Sequence, residues 1–398
     1  MNIAVPKETL AGETRVAVVP EQVEKLSEKN GWVFFVQAGA GVESGYSDAD
    51  YEAVGATICP DAKATYGKAE ITFHVQVPTA DQIGLLPEGS ALISMLWPMQ
   101  NPELVKALAA RKITSFAMDK VPRITRAQSM DILSAMSTVS GYKSVLIAAA
   151  ELLKFCPMLM TAAGTIRPAK ALILGAGVAG LMGIGTARRL GCVVEAFDVR
   201  PATKEQVESL GAKFVEFAVE DSEDAGGYAK ALDQDQQAKQ LELIHDHIKD
   251  ADMVITTALI PGRKAPVLVT DAMLQDMKPG SVVVDLAAIQ GGNCEGAQPD
   301  QTVVKHDVKI LGPTNLPATV PFHASQMLSK VFTNLMTELS NEEGLEVNLD
   351  NEVTVGCMIT HGGETVHERT RESMGLPALE KPEPEPEAES DAAAPASA

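Results

Sequence analysis

Short apolar runs alternate with amphipathic segments along the first third of the chain. The helical patterns lie at Pro20–Lys29 and Pro102–Arg111. They fall between runs typical of strands, which are Ile3–Val5, Val33–Gln37, Ile71–Val77, Ala91–Met95 and Thr114–Ala117. Because strands that alternate with helices usually join through crossover connections, this rhythm predicts a parallel sheet flanked by helices.

A second series of the same kind follows a long helical pattern at Arg126–Phe155. Its strand-type runs are Ala171–Leu174, Val193–Phe197, Lys213–Phe217, Met253–Thr256, Ser281–Leu286 and Lys309–Leu311. A last helical pattern at Ser325–Leu339 is expected to return to the first domain. The sequence therefore predicts the α/β class, with two Rossmann-like, doubly wound parallel-sheet domains and a ligand cleft between them.

Domain boundaries follow from this order. We expect an N-terminal domain formed by residues 1–133 and 321–376 and a nucleotide-binding domain at residues 134–320. Residues 377–398, in which proline alternates with glutamate before an Ala/Ser-rich end, are expected to form an acidic tail.

The most informative motif lies between the first two strand-type runs of the second series. Gly175, Gly177 and Gly180 have the GxGxxG spacing, and Asp198 follows Gly180 by 18 residues at the end of the next run. In a dinucleotide-binding fingerprint these glycines allow the tight turn, the approach of a pyrophosphate and close packing of helix on strand. The acidic residue accepts hydrogen bonds from a ribose and disfavours a 2′-phosphate, so NAD(H) is expected rather than NADP(H).

Residues next to this motif, namely Val178, Val199 and Arg200, are expected to contact the same cofactor. GxGxxG by itself also occurs in ordinary glycine-rich turns. The uncharged stretch 171–187 could also be taken for a membrane span, but its glycines and its strand-like start argue against that alternative.

Composition narrows the functional classes. The chain has 398 residues, 45% of them hydrophobic, and a formal net charge of −20, which argues against nucleic-acid binding. Five scattered cysteines without a CxxC pair and histidines without ligand spacing indicate a reducing compartment and no metal site. The start lacks the basic and apolar regions of a signal peptide, so a cytoplasmic location and no direct membrane insertion are expected.

A polar segment precedes the long helix. Arg123 and Asp131 could pair across it and leave the amide of Gln128 to project. From the residues alone, a helix-capping loop with a surface ion pair is the favoured interpretation.

The wider segment PRITRAQSMDILSAMSTVSGY resembles the Arg-Gln-Asp loop of the NAD(H)-binding component of proton-translocating nicotinamide nucleotide transhydrogenase. The resemblance extends from Met1 to about Arg371 and includes VPKET, the fingerprint, AGGYAK, TTALIPG and GGNC. It implies catalytic roles for Arg123, Gln128, Asp131 and Ser134. It also implies cofactor contacts from Arg126, from Gly227 and Tyr228 in a mobile loop, and from Ala258 and Leu259.

This resemblance implies direct hydride transfer between NAD(H) on this chain and NADP(H) on a partner component. It further implies a homodimer, membrane-spanning partner subunits and peripheral association with the inner membrane. Hydride transfer between nicotinamides needs no nucleophile, metal or proton donor, and no motif for these is evident in the sequence.

Two alternatives stay open at this stage. Alanine dehydrogenase resembles the chain in its start and has an arginine at the position of Arg15, but its working lysine, histidine and aspartate correspond here to Gln76, Trp97 and Ile289. Without them the chain lacks the acid and base groups that oxidative deamination needs. A non-catalytic NAD-sensing module is the other alternative.

Overall fold

The computed structural model describes residues 1–217, 233–259, 264–342 and 344–379. Its strands are β1 Asn2–Val5, β2 Val33–Gln37, β3 Thr57–Cys59, β4 Ile71–Phe73, β5 Ala91–Ser94, β6 Thr114–Ala117, β7 Leu159–Thr161, β8 Gly164–Ile166, β9 Lys170–Leu174, β10 Val193–Phe197, β11 Lys213–Val215, β12 Met253–Thr256, β13 Val282–Asp285, β14 Thr302–Lys305, β15 Val308–Leu311, β16 Ser340–Asn341, β17 Gly344–Leu345, β18 Met358–His361 and β19 Glu364–Thr365.

The helices lie between these strands, except for the last, which follows β19. They are α1 Pro20–Asn30, α2 Asp48–Ala53, α3 Ala62–Tyr66, α4 Ala80–Leu85, α5 Pro102–Ala110, α6 Ile132–Glu151, α7 Val178–Arg189, α8 Lys204–Ser209, α9 Gln234–Ile248, α10 Asp271–Asp276, α11 Pro321–Glu338, α12 Glu352–Cys357 and α13 Glu368–Ser373.

Two sheets organise the fold. One has the order β19-β18-β6-β5-β4-β1-β2-β3 and the other the order β11-β10-β9-β12-β13-β15-β14. Six strands of each sheet are parallel and follow the doubly wound order 3-2-1-4-5-6 when numbered within their own series. The predicted fold class is confirmed.

Neither sheet is parallel throughout, which the sequence-based expectation did not include. Strand β18 is antiparallel to β6, and β14 is antiparallel to β15. The β14–β15 connection is a tight hairpin in which His306 and Asp307 both have positive φ values, 50° and 61°. Because neither residue is glycine, the usual sequence pattern for such a turn is missing.

The long helix begins later than its apolar pattern predicts. Thr125–Met130 forms a 3₁₀ turn, and α6 starts only at Ile132. The carboxylate of Asp131 accepts hydrogen bonds from the Ser134 amide at 2.9 Å and from its hydroxyl at 2.6 Å. This N-cap fixes the start of the helix and separates the polar loop from it.

Helix α6 lies against the second sheet and against α7. The approach is so close that a Cβ on Gly141 would lie 2.1 Å from the carbonyl oxygen of Ala179. By length and composition alone α6 could cross a membrane, which the sequence-based expectation did not foresee. Its buried face, which includes Ile132, Val139 and Val145, instead packs inside this fold.

Separate cores support the two sheets. In the first, Phe73 of β4 stacks on Phe332 of α11 with ring centroids 5.2 Å apart. In the second, neighbouring residues of β9 enter opposite faces, with Ile173 in one cluster and Leu172 in the other. Both faces of the second sheet are therefore covered, and the free edge for a ligand is the carboxyl end of its strands.

Candidate functional site

The fingerprint forms a tight turn between β9 and α7. Gly175 has a φ of +103°, a conformation that favours glycine, and its N–H donates to the Phe197 carbonyl at 2.8 Å. A Cβ on Gly180 would lie 1.8 Å from the carbonyl oxygen of Gly175. Gly177 is the N-cap of α7, and a Cβ there would have only the Arg200 guanidinium within 4 Å. The first and third glycines are thus required by the chain itself, and the second leaves an approach to the helix N-terminus.

Asp198 connects this turn to Arg200. Its side chain accepts from the Ala176 amide at 2.7 Å, from the Arg200 amide at 2.9 Å, and from the Arg200 guanidinium at 2.9 and 2.8 Å. Asp198 is 6% exposed, so the carboxylate is almost completely enclosed by these donors. The sequence left the role of Arg200 open; the structure shows that it neutralises Asp198 next to the glycine turn.

The segment after β12 closes the other side of the turn. The Thr257 hydroxyl donates to the Gly175 carbonyl at 3.1 Å. The next residues are the predicted Ala258, which is half-buried, and Leu259, which is 37% exposed. They lie beside the fingerprint, where the carboxyl ends of β9 and β12 meet.

A cleft of about 380 Å³ lies where the polar loop, α6, α7 and α11 come together. Gln128, Asp131 and Ser134 line it, together with Val178 of the fingerprint helix. The opposite wall is formed by residues of α11, which are Met327, Lys330, Val331 and Asn334. The structure therefore brings three of the four predicted catalytic residues to one cavity beside the predicted cofactor turn.

An adjoining depression of about 480 Å³ shares Thr138 and Val178 with this cleft. It continues along α7 to Arg189 and reaches Gln206 and Leu210 near α8. Together the two depressions form a groove along the exposed side of α7.

Other predicted residues lie elsewhere. Arg123 is exposed on the loop but does not line the cleft. The guanidinium of Arg126 forms an ion pair with Glu338 and donates to Asn351 at 2.9 Å, so it points to the end of α11 rather than to the fingerprint. Gly227 and Tyr228 lie outside the described residues.

A buried polar network lies near the start of the chain, around the arginine that alanine dehydrogenase shares. The carboxylate of Glu13 accepts from the Arg15 guanidinium at 2.7 and 2.5 Å, from Gln76 at 2.8 Å and from Asn315 at 3.0 Å. Burial would raise the pKa of Glu13, but the hydrogen bonds and charge of Arg15 outweigh it and lower that pKa. Arg15 is thus neutralised by Glu13, and its hydrogen bond to Asn315 connects this network to a segment 300 residues away.

Sequence reasoning missed several residues that shape the site. Lys330 and Asn334 line the cleft from a helix that the sequence placed only as a return to the first domain. Thr257 and Asn293 were seen only as parts of longer matching segments, although they hold the turn and the segment beside it. The apolar period of α11 predicts its buried face but gives no indication of what its polar side faces.

Metal ligation has no support in the described part of the chain. No group of three or more His, Cys, Asp or Glu side chains there could hold an ion. The five cysteines are free and buried, as their scattered positions predict. Burial raises the pKa of the Cys294 and Cys357 thiols, the latter to about 12, so these sulfurs stay protonated.

Fold and site together define a two-sheet dinucleotide-binding protein with its cleft at the carboxyl ends of the strands. Residues 4–140 match the family described as Alanine dehydrogenase/PNT, N-terminal domain, and residues 144–368 match Alanine dehydrogenase/PNT, C-terminal domain. The chain belongs to this family.

Relatives within the family differ in their likeness to the chain. An NAD(P) transhydrogenase alpha subunit protein of Rhodospirillum rubrum is 46% identical over 377 residues, which cover 92% of this chain and 98% of that protein. Alanine dehydrogenase of Mycobacterium tuberculosis is 30% identical over 387 residues, 96% of this chain and 98% of that one. A solved transhydrogenase structure from Sinorhizobium meliloti has a TM-score of 0.84 at 44% identity, covering 92% of this chain and 100% of that one.

These comparisons confirm the identification made from the sequence. They favour the transhydrogenase interpretation over the alanine dehydrogenase alternative, because both the sequence and the structure are closer to the transhydrogenase proteins.

Proposed function

We propose that this chain is the NAD(H)-binding component of a proton-translocating transhydrogenase, an oxidoreductase that exchanges hydride directly with NADP(H) held by a partner component. The observation that carries the proposal is the meeting of Gln128, Asp131 and Ser134 with Val178 of the fingerprint helix in one cleft. The likeness to a transhydrogenase alpha subunit protein over 92% of the chain supports it.

The site fits a dinucleotide. Gly177 leaves space at the N-terminus of α7, a helix of 12 residues whose N–H groups suit a pyrophosphate. Val178 and Leu259 are large apolar side chains that are 43% and 37% exposed beside this turn. When bound, NADH supplies the hydride at C4 of its nicotinamide, and the chain's task is to orient that ring and keep water away.

Selectivity for NAD(H) is assigned to Asp198. Its carboxylate lies at the end of β10 and is held by the Ala176 amide and by Arg200. A ribose hydroxyl would replace one of the Arg200 hydrogen bonds to this carboxylate, whereas a 2′-phosphate would meet a negative charge whose cation is already engaged. Val199 completes the expected contacts at this end of the cofactor.

Orientation of the nicotinamide is assigned to the polar loop. Asp131 and Ser134 hold each other at the start of α6, so the loop has a fixed base. Gln128 is exposed at the cleft and offers both a donor and an acceptor. Arg123, Gly227 and Tyr228 keep the roles that the resemblance implies for them as part of the proposal. For Arg126 the implied cofactor contact requires that its guanidinium leave Glu338 and Asn351.

Assembly forms the next part of the proposal. We assign a homodimer, because apolar side chains are exposed on and before the β7–β8 hairpin: Leu153, Phe155, Met158, Met160 and Ile166. Such a cluster is typical of a protein interface. The NADP(H)-binding component is assigned to the mouth of the cleft, and membrane-spanning subunits hold the complex at the cytoplasmic side of the inner membrane.

The distribution of strands supports the domain boundaries. One sheet takes its strands from residues 2–117 and 358–365, and the other from residues 170–311. This division agrees with an N-terminal domain of residues 1–133 plus 321–376 and a nucleotide domain of residues 134–320. Limited proteolysis followed by mass spectrometry would test it.

Mixing the purified chain with an NADP(H)-binding transhydrogenase component and following hydride exchange between NADH and an NADP analogue tests the proposed function. Exchange that requires both proteins is expected. NADH production from NAD and L-alanine by this chain alone would support the alanine dehydrogenase alternative. NADH binding without exchange would support a sensing module.

A further inference from the structure

Asn293 binds both peptide groups of one residue beside the fingerprint. Its Oδ1 accepts from the Ala258 amide at 3.1 Å, and its Nδ2 donates to the Ala258 carbonyl at 2.9 Å and to the Pro266 carbonyl at 2.8 Å. Asn293 is completely buried. Only a side-chain amide offers a donor and an acceptor at this spacing, so this position requires its chemistry.

The turn that carries Asn293 is held in place by the carboxylate of Asp285. Asp285, at the end of β13, accepts from the Cys294 amide at 2.8 Å, from the Ala287 amide at 2.8 Å and from the Thr256 hydroxyl at 2.9 Å. Gly292 has a φ of +80°, and a Cβ there would lie 3.0 Å from the Asp285 carboxylate. Asn293 is therefore presented by a rigid turn.

The segment that Asn293 holds is attached to the fingerprint on its other side. Thr257 donates to the Gly175 carbonyl at 3.1 Å and stands 3.3 Å from the Leu174 carbonyl. Asp285, Asn293 and Thr257 thus link the carboxyl ends of β13, β12 and β9. Ala258 lies within this link, and Leu259 emerges from it toward solvent.

We propose that Asn293 is a positioning residue of the nucleotide site, which holds the peptide groups of Ala258 so that Leu259 lies against the bound NAD(H). The proposal rests on NAD(H) binding at the fingerprint. Without the amide, the peptide groups of Ala258 lose their Asn293 partner, and the segment shifts to regain hydrogen bonds. Pre-organisation of the contact surface is then lost before any ligand arrives.

Calorimetric titration of NADH into the purified chain tests the proposal, with the melting temperature and amide hydrogen exchange at Ala258 measured in parallel. Asn293→Ala is expected to weaken NADH binding about tenfold, the equivalent of about 1.4 kcal/mol, and to accelerate that exchange. Asn293→Asp keeps the shape and one acceptor but turns an oxygen toward two carbonyls, so its affinity should fall at least as far.

Asn101→Ala is the matched control. Asn101 also donates to two backbone carbonyls, those of Leu96 at 3.0 Å and Trp97 at 3.2 Å, but it lies just before α5, next to the first sheet. Its loss should lower the melting temperature and leave NADH affinity unchanged. Thr257→Val decides the question if the Asn293 variants do not fold, because it removes the hydroxyl that joins the same segment to Gly175.

Wild-type affinity in a folded Asn293→Ala or Thr257→Val protein, with slow exchange at Ala258 in the former, would overturn the inference and leave NAD(H) binding intact. Failure of the wild-type chain to bind NADH would instead overturn the proposed function. The two failures are therefore distinguishable in one series of titrations.

Discussion

The guanidinium of Arg15 donates to both carboxylate oxygens of Glu13, through Nε at 2.7 Å and Nη2 at 2.5 Å, and both residues are buried. In addition, Arg15 stands 3.3 Å from the Asn315 side chain, which comes from the end of the second domain's strand series. An arginine that could receive a small carboxylate substrate is thus engaged by an internal carboxylate. Asn315 contacts both residues of the pair and so connects it to a distant part of the chain.

Breaking this pair should be costly. Glu13→Gln leaves the buried Arg15 charge without its partner, so we expect a loss of about 3–5 kcal/mol in the free energy of unfolding. Urea denaturation measures it. Glu21→Gln, which breaks the solvent-exposed pair with Lys25, is the control and should lower the free energy of unfolding far less, because solvent screens that pair. Equal losses in both variants would contradict the role given to the buried network.

The same geometry predicts the absence of alanine dehydrogenase turnover. Because Gln76 and Trp97 supply neither a general base nor a group that promotes attack of water, the purified chain with NAD and L-alanine should produce NADH at less than about 1 s⁻¹. Absorbance at the NADH band follows the reaction, with a known alanine dehydrogenase as the positive control. Steady turnover above that rate would show that this assignment is wrong.

Asp198 should control NADH affinity. Asp198→Ala removes a charge-assisted hydrogen bond to the ribose, so affinity should fall about ten- to a hundredfold, which corresponds to about 1.5–3 kcal/mol. The variant also removes the carboxylate that pairs with Arg200, so its affinity for NADPH should rise relative to NADH. Calorimetry with both nucleotides provides the measurement. Unchanged NADH affinity in this variant would show that Asp198 does not contribute to NADH binding.

Gln128 should act in hydride transfer more than in binding. Gln128→Ala is expected to leave most NADH affinity in place and to slow single-turnover transfer to the NADP(H) component about a hundredfold, as happens when a positioning contact is lost. Arg123→Ala and Asp131→Ala should slow transfer as well. Gln275→Ala, at an exposed position of α10, is the control. Wild-type transfer rates in all three loop variants would show that the loop only caps the helix and has no role in hydride transfer.

Helices α6 and α7 pack so closely at Gly141 that a side chain there is expected to destabilise the protein. A Cβ there would lie 2.1 Å from a backbone carbonyl of α7, so Gly141→Ala should destabilise the protein by about 1–3 kcal/mol or more. Gly84, within α4, has nothing within 4 Å of its added Cβ, so Gly84→Ala should instead be neutral or stabilise by about 0.5–1 kcal/mol. Thermal denaturation of the two variants should give shifts of opposite sign.

His367 should contribute a pH dependence. Its Nδ1 accepts from the Thr370 amide at 3.3 Å at the start of α13. Burial, together with Lys120 and Arg369, lowers the pKa of His367 from 6.5 to about 4. The unfolded chain therefore binds more protons between these values, so stability should fall as pH decreases from about 6.5 to about 4.

Replacement of His367 by asparagine separates this effect from other titrations. His367→Asn keeps an N-cap acceptor and does not titrate, so the slope of unfolding free energy against pH in that window should decrease. Glu13 contributes in the same direction only at lower pH, because its pKa lies below the ordinary value. An unchanged slope in His367→Asn would refute the prediction.

Local sequence determined much of this protein. Strands such as Val193–Phe197 and Met253–Thr256 have the predicted bounds, because mainly apolar runs between turn residues are stable as strands of a sheet that is covered on both faces. The glycines of the fingerprint were identifiable because a positive φ at Gly175 and the contact of Gly180 with the turn exclude side chains. These features depend on nearest neighbours along the chain.

Tertiary structure alone decided which distant groups meet. No local pattern places Lys330 of α11 opposite Gln128, pairs Asn293 with Ala258, or turns Arg126 toward Glu338. The observed start of α6 also differs from the start that its apolar pattern predicts, because the Asp131 cap outweighs helix propensity in the preceding turn. Period and spacing specify the elements, whereas a site made where strand ends converge depends on contacts between residues far apart in sequence, which only the packed fold determines.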